Sequence, residues 1–188
     1  MPKTKKRTIS PSHPRVSRTA TGGHPHQTST LAKGPPAVCV FARIGKAMIP
    51  FLQTHLPPAI AMARSSIHEL SVVLVNDKQI GDLHQQFFND PRSTDVITFP
   101  MDVDRRGRAI SGELYLCVPM ARKQAKLRGL LPEHELLLYA IHGVLHLSGH
   151  DDLTDADYQR MHRAEDRILR TLGLGNVFVV PSRAEGSQ

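Results

Sequence analysis

His142 and His146 stand four residues apart in the run Ile141-His142-Gly143-Val144-Leu145-His146-Leu147-Ser148-Gly149-His150-Asp151-Asp152. On a helix that spacing stacks the two imidazoles one turn apart on one face. Both can then reach a single metal ion at about 2.0–2.1 Å. Gly149 suits the end of such a helix, where a left-handed residue turns the chain back. The turn returns His150, Asp151 and Asp152 towards the same face, so a third ligand comes from Asp152 or, in its place, from His150. Three protein ligands with a fourth position left to water is the pattern of a catalytic zinc site. Histidines at this spacing are often only polar residues on a helix face. Here Leu136, Leu137, Leu138, Ile141, Val144, Leu145 and Leu147 make the helix apolar around the pair, and buried polar groups need partners.

These residues also carry a resemblance. His142-Gly143-Val144-Leu145-His146-Leu147-Ser148-Gly149-His150-Asp151 is preceded by Thr94-Asp95-Val96-Ile97-Thr98-Phe99-Pro100 and then Ser111-Gly112-Glu113-Leu114. In this order the three blocks resemble the YbeY family over roughly residues 45 to 175. The resemblance implies a zinc-dependent endoribonuclease acting on single-stranded ribosomal RNA precursors, in small-subunit 3′-end maturation and ribosome quality control. It also implies ribosomal proteins or assembly factors as partners. There are two departures. The family places Tyr, Asp and His after the second glycine, where this chain has His150, Asp151 and Asp152. The family also has an arginine where this chain has Phe88, with Arg92 nearby.

A zinc ion on His142, His146 and Asp152 would acidify water to a pKa near ~7 and polarise a phosphoryl oxygen. The attacking group is either that activated water or the neighbouring ribose 2′-hydroxyl. Asp151 is the candidate to hold a metal-bound histidine from behind, or else to cap the turn. Thr94, Asp95 and Arg92 are expected to line the cleft, on the strength of the family block. A zinc metalloprotease is the other enzyme reading, but His-Glu-x-x-His requires a glutamate as general base, and Gly143 fills that place. The non-enzyme reading is a binding module for ribosome assembly that zinc only stabilises.

The wider chain sets the frame. Its 188 residues suit one domain with a tail, and 40% apolar content supports one core, though Trp is absent and that core must be aliphatic. Ten Lys and Arg precede the first acid, Glu69, and the remainder holds 14 basic and 17 acidic residues. The net charge of +7 is therefore +10 from the residues before Glu69 and −3 from the rest, and contact with nucleic acid in the folded part needs a local patch. The two cysteines, Cys39 and Cys117, form no motif and read as small buried residues of a cytoplasmic protein. No apolar run reaches the ~18 residues of a membrane span.

Residues 1–36 are rich in Ser, Thr, Pro, Lys and Arg and poor in bulky apolar side chains, which predicts a disordered basic tail. Helical pieces are expected over 43–56 and 58–64, and strands over 69–75, 94–99 and 110–118, with Pro100 ending the second. Asp77 is expected to cap a helix through about Phe88. A helix from Pro119 to Gly129 carries Arg122 and Lys126 one turn apart, the best candidate phosphate-binding patch of the folded part, or else an ordinary exposed face. Pro132 opens the histidine helix. Thr154 caps a last helix with Tyr158, Met161, Ile168 and Leu169 as its apolar stripe. The result is an α+β (mixed α/β) domain over 37–178, with three to four strands and about five helices. A loose tail follows over 179–188.

Overall fold

The computed structural model describes residues 34–175. The leader expected over 1–36, apart from its last three residues, and the tail expected over 179–188 lie outside the described residues. Within them the order is β1 (Ala37–Ala42), a 3-10 turn (Lys46–Met48), α1 (Ile49–Met62), β2 (Glu69–Val75), α2 (Asp77–Phe88), β3 (Val96–Val103), β4 (Ala109–Cys117), α3 (Val118–Arg128), α4 (Pro132–Leu147) and α5 (Asp155–Thr171). The four strands form one mixed sheet in the order β1-β2-β4-β3. β1 and β4 flank β2 in parallel, and β3 runs antiparallel to β4. The fold is α+β.

Four local expectations need correction. β1 had no clear signal, because only Val40 of its six residues is buried. Its pairing with β2, from Ala37 opposite Glu69 to Ala42 opposite Leu74, makes it a strand. α1 runs unbroken through Pro57 and Pro58, with Leu52, Leu56, Ala59 and Ile60 buried along one side. Burying such side chains contributes about 1.5–3 kcal/mol each, enough to offset the roughly 3 kcal/mol of an interior proline. β3 continues past Pro100 to Val103. It is an edge strand, so the missing proline N–H takes no ladder bond from a neighbour. Asn76, not Asp77, caps α2: its side chain accepts from the Gln79 amide at 2.8 Å, and Gln79 Oε1 accepts from the Asn76 amide at 3.1 Å.

The two sheet faces differ. α1, α4 and α5 enclose the main core with Leu70, Val72, Leu74, Leu114 and Leu116. α2 covers a smaller cluster of Val75, Ile80, Ile97 and Cys117. Burial, before other influences, pushes the Cys117 thiol up to about 11, so it behaves as a packed apolar residue. Cys39, expected to be buried too, is exposed.

α4 is central. Twelve of its sixteen residues are buried, because it rests on β3 and β4 while α1, α3 and α5 close in around it. Its N-terminal turn is tied to α3 by Arg128, whose guanidinium donates to both oxygens of the fully buried Glu135 at 2.8 and 3.0 Å. Its far end lies almost on the sheet backbone. A Cβ on Gly143 would come within 2.8 Å of Leu114 Cδ2, and one on Gly112 within 2.6 Å of Leu147 Cδ1. Two glycines, one per layer, therefore set the height of the histidine turn above β4.

Gly112→Ala forces Leu147, the neighbour of His146, off its seat, and Phe99 O at 3.3 Å limits escape on the other side. Such overpacking costs about 1–3 kcal/mol. The urea midpoint of Gly112→Ala should fall accordingly, and an unchanged midpoint would contradict this packing.

Candidate metal centre

The last turn of α4 presents His142 and His146 side by side, with Nε2 atoms 3.0 Å apart. The chain then turns as expected: Gly149 has φ 89°, the His150 amide donates to Leu145 O at 3.0 Å, and Gly149 N donates to His146 O at 2.9 Å. This brings Asp152 Oδ2 to 4.0 Å from His142 Nε2, with its side chain 6% exposed. One ligand-type atom from each of His142, His146 and Asp152 lies within 4.8 Å of the others.

Both imidazoles are held from behind. His142 Nδ1 lies 2.6 Å from Glu165 Oε1, and Glu165 is 1% exposed. His146 Nδ1 lies 3.0 Å from the carbonyl of His150. Burial acts to raise the Glu165 carboxyl, but hydrogen bonds from His142 and His162 outweigh it and hold it at about 2. Glu165 is thus a carboxylate that accepts only, which assigns the Nδ1 proton to His142. The carbonyl assigns the corresponding proton to His146. Burial first, and then His142, push His146 below the usual histidine value, favouring the neutral ring that a metal requires.

These residues fit a divalent cation. With protons on both Nδ1 atoms, the two Nε2 lone pairs point at each other. Metal bonds of about 2.0–2.1 Å in a tetrahedron separate ligand atoms by about 3.3 Å, between the observed 3.0 and 4.0 Å. Asp152 Oδ1 is buried with no hydrogen-bond partner, an open acceptor beside two aligned nitrogens. Two imidazoles and one carboxylate suit zinc, and also harder or neighbouring divalent metals.

The other expected site residues are placed as follows. His150 is exposed and contributes its carbonyl, so Asp152 stands in the cluster and the His150 ring does not. Asp151 does not hold a histidine; its carboxylate accepts from the Asp152 amide at 2.8 Å and shapes the turn. The acceptor behind His142 is Glu165 of α5, twenty-three residues away, which the sequence reading missed. Its signal was a lone acid among the buried positions of α5. Thr94 Oγ1 donates to Asp95 Oδ1, which also accepts from the Val96 amide, both at 3.0 Å. Asp95 is buried at the entry to β3. Arg92 is bound to Asp90 in an exposed loop at 2.9 and 3.0 Å through its Nε. Arg122 and Lys126 are exposed on α3, whereas Arg128 of the same helix is committed to Glu135. A concavity of about 680 Å³ lies on the other sheet face, lined by Val73, Gln79, Leu83 and Tyr115, with none of these residues in it.

Residues 45–173 match the family model described as endoribonuclease YbeY. A Protochlamydia amoebophila protein named endoribonuclease YbeY is 38% identical over 122 residues, 64% of this chain and 81% of that protein. A Thermobifida fusca protein of the same name is 31% identical over 135 residues, 68% of this chain and 81% of that protein. A solution structure of a Thermotoga maritima protein shares the fold, with a TM-score of 0.51 at 24% identity, covering 78% of this chain and 99% of that one.

Outer hydrogen bonds to a metal-bound histidine typically set affinity by about 10–100-fold. Glu165→Gln keeps an acceptor but loses the charge. Its zinc affinity, measured by competition with a chromophoric chelator, should fall within that range. Affinity equal to wild type would contradict a role for Glu165 behind His142.

Proposed function

The chain belongs to the endoribonuclease YbeY family, and from that premise we propose that it is a metal-dependent endoribonuclease of single-stranded RNA acting in ribosomal RNA processing. Its substrate in this reading is small-subunit precursor RNA, met in the cytoplasm together with ribosomal proteins or assembly factors. No helix among the described residues is long and apolar enough to cross a membrane.

One observation carries the reading: two imidazole nitrogens 3.0 Å apart, each ring held from behind, beside a buried carboxylate oxygen that lacks a partner. His142, His146 and Asp152 would hold a zinc ion, which when bound would supply Lewis acidity at a phosphoryl oxygen and acidify water at the site. The chain's own residues do the rest. Glu165 and the His150 carbonyl keep both rings in the tautomer that presents Nε2. Asp151 fixes the turn that delivers Asp152. Asp95, tied to Thr94 and to the Val96 amide, braces the entry to β3 next to the helix. Arg122 and Lys126 contact RNA phosphates from α3. Arg92 serves the RNA only if it exchanges Asp90 for a phosphate.

The protease alternative meets a structural obstacle. Gly143, at the place of the general base, faces the sheet against Leu114 and Thr98. The nearby Glu165 has both oxygens engaged, by His142 and His162 at 2.6 Å each.

Purified, zinc-loaded protein should cleave a fluorescent single-stranded RNA, and His146→Ala should abolish cleavage while its far-UV circular dichroism stays native. Undiminished cleavage by the variant, or casein digestion by the wild type, would reject the reading. Zinc retained without any cleavage would favour a binding module.

A further inference from the structure

The first turn of α5 carries an aromatic side chain that the core does not use. Tyr158 was expected in the apolar stripe of the helix, yet it is 51% exposed while Met161, Ile168 and Leu169 are buried. Leu153, which directly follows the ligand Asp152, is 64% exposed. Thr154 caps the helix by accepting from the Asp157 amide, so Leu153 and Tyr158 occupy the positions flanking a cap that pack together as a hydrophobic staple. A staple accounts for apolar residues at these two positions. It does not explain why both remain open to solvent.

The Tyr158 ring is also continuous with the metal centre. It meets the His162 ring edge-on, with centroids 4.0 Å apart at 85°. His162 Nδ1 lies 2.6 Å from Glu165 Oε2, and Glu165 Oε1 lies 2.6 Å from His142 Nδ1. Since Glu165 is buried and held by both rings, His162 is fixed, and Tyr158 is seated on a fixed support. A surface aromatic restrained in this way loses little freedom when something stacks on it.

We infer that Tyr158, with Leu153 beside it, is a stacking ledge for an unpaired nucleobase of the RNA held at the metal centre. The inference rests on the nuclease reading and adds the source of its strand preference. An aromatic face binds a base that has left its helix, at about 1–3 kcal/mol per base and with little regard to sequence. A base-paired nucleotide has no such face to offer. The ledge borders the turn that supplies Asp152, so a base resting there places its strand against the cluster of His142 and His146.

The test uses the full chain, zinc-loaded, and a short fluorescent single-stranded 2′-O-methyl RNA, which has no 2′-hydroxyl to act as nucleophile. By fluorescence anisotropy, Tyr158→Ala should weaken binding about 5- to 150-fold. The slope of log K against log salt should not change, because no phosphate contact is lost. Tyr158→Phe should bind like wild type, and Tyr158→Leu, which keeps apolar bulk without a ring, like Tyr158→Ala. Melting curves should show all three fully folded at the temperature of the binding assay. Unchanged affinity of Tyr158→Ala overturns the ledge, as does wild-type affinity of Tyr158→Leu. So does loss of ribosome association in Tyr158→Ala with RNA affinity intact, which would make the ledge a protein surface. Cleavage of unmodified RNA by the wild type, followed in parallel, separates the two claims. Cleavage without dependence of binding on Tyr158 sinks the ledge alone, and dependence on Tyr158 without cleavage sinks the nuclease reading alone. A wild type that binds no RNA sinks both.

Discussion

Two imidazoles on one helical turn are forced to face each other, and the rest of the domain is arranged to keep them so. Left to themselves, two neutral histidines at this spacing would rotate apart, since their Nε2 lone pairs repel. Here neither can turn. A buried carboxylate grips Nδ1 of His142 and a backbone carbonyl grips Nδ1 of His146. A cation between the nitrogens would relieve that confrontation, and Asp152 stands where it would bring the negative charge such a cation needs. Metal bound there would couple its own affinity to the order at the end of α4, as wherever ligands are prearranged by folding.

The architecture follows from this demand. A helix that holds two imidazoles face to face must be immobile, and α4 achieves this by being buried nearly all round. The two glycines at its contact with the sheet let it approach β4 more closely than side chains would allow. At its other end the bidentate bond between Arg128 and Glu135 fixes its tilt against α3. Burial alone would raise the Glu135 carboxyl, and Arg128 opposes this. An unpaired buried carboxylate is costly, so the pair gives the α3–α4 hairpin a preferred geometry as much as it gives stability. α5 completes the arrangement by supplying Glu165 from a helix distant in sequence.

What could be read from the chain was what lies close together along it. His142, His146, Gly149 and Asp152 belong to one helix end and one turn, so spacing and capping rules suffice to bring them together. The parallel pairing of β1 was not readable, since its residues alternate weakly and only the partner strand defines it. Pro57, Pro58 and Pro100 mislead for the same reason. A proline reads as a local stop, but burial along α1 and the edge position of β3 are tertiary facts that override it. Glu165 was hard to single out because it is one of four acids in α5, and an acid in an amphipathic helix looks like a solvated residue until the helix is docked. Tyr158 shows the converse. Its helical spacing suggests core, and only the docked helix shows it facing water.

Anomalous diffraction at the zinc absorption edge, from crystals of protein purified without a histidine tag, tests the central claim most directly. One peak is expected about 2.0–2.1 Å from Nε2 of both His142 and His146, within bonding distance of an Asp152 carboxylate oxygen. Glu165 should still lie against His142 Nδ1. No peak there after soaking in zinc, or a peak bound by the His150 ring with His142 and His146 turned apart, would contradict it.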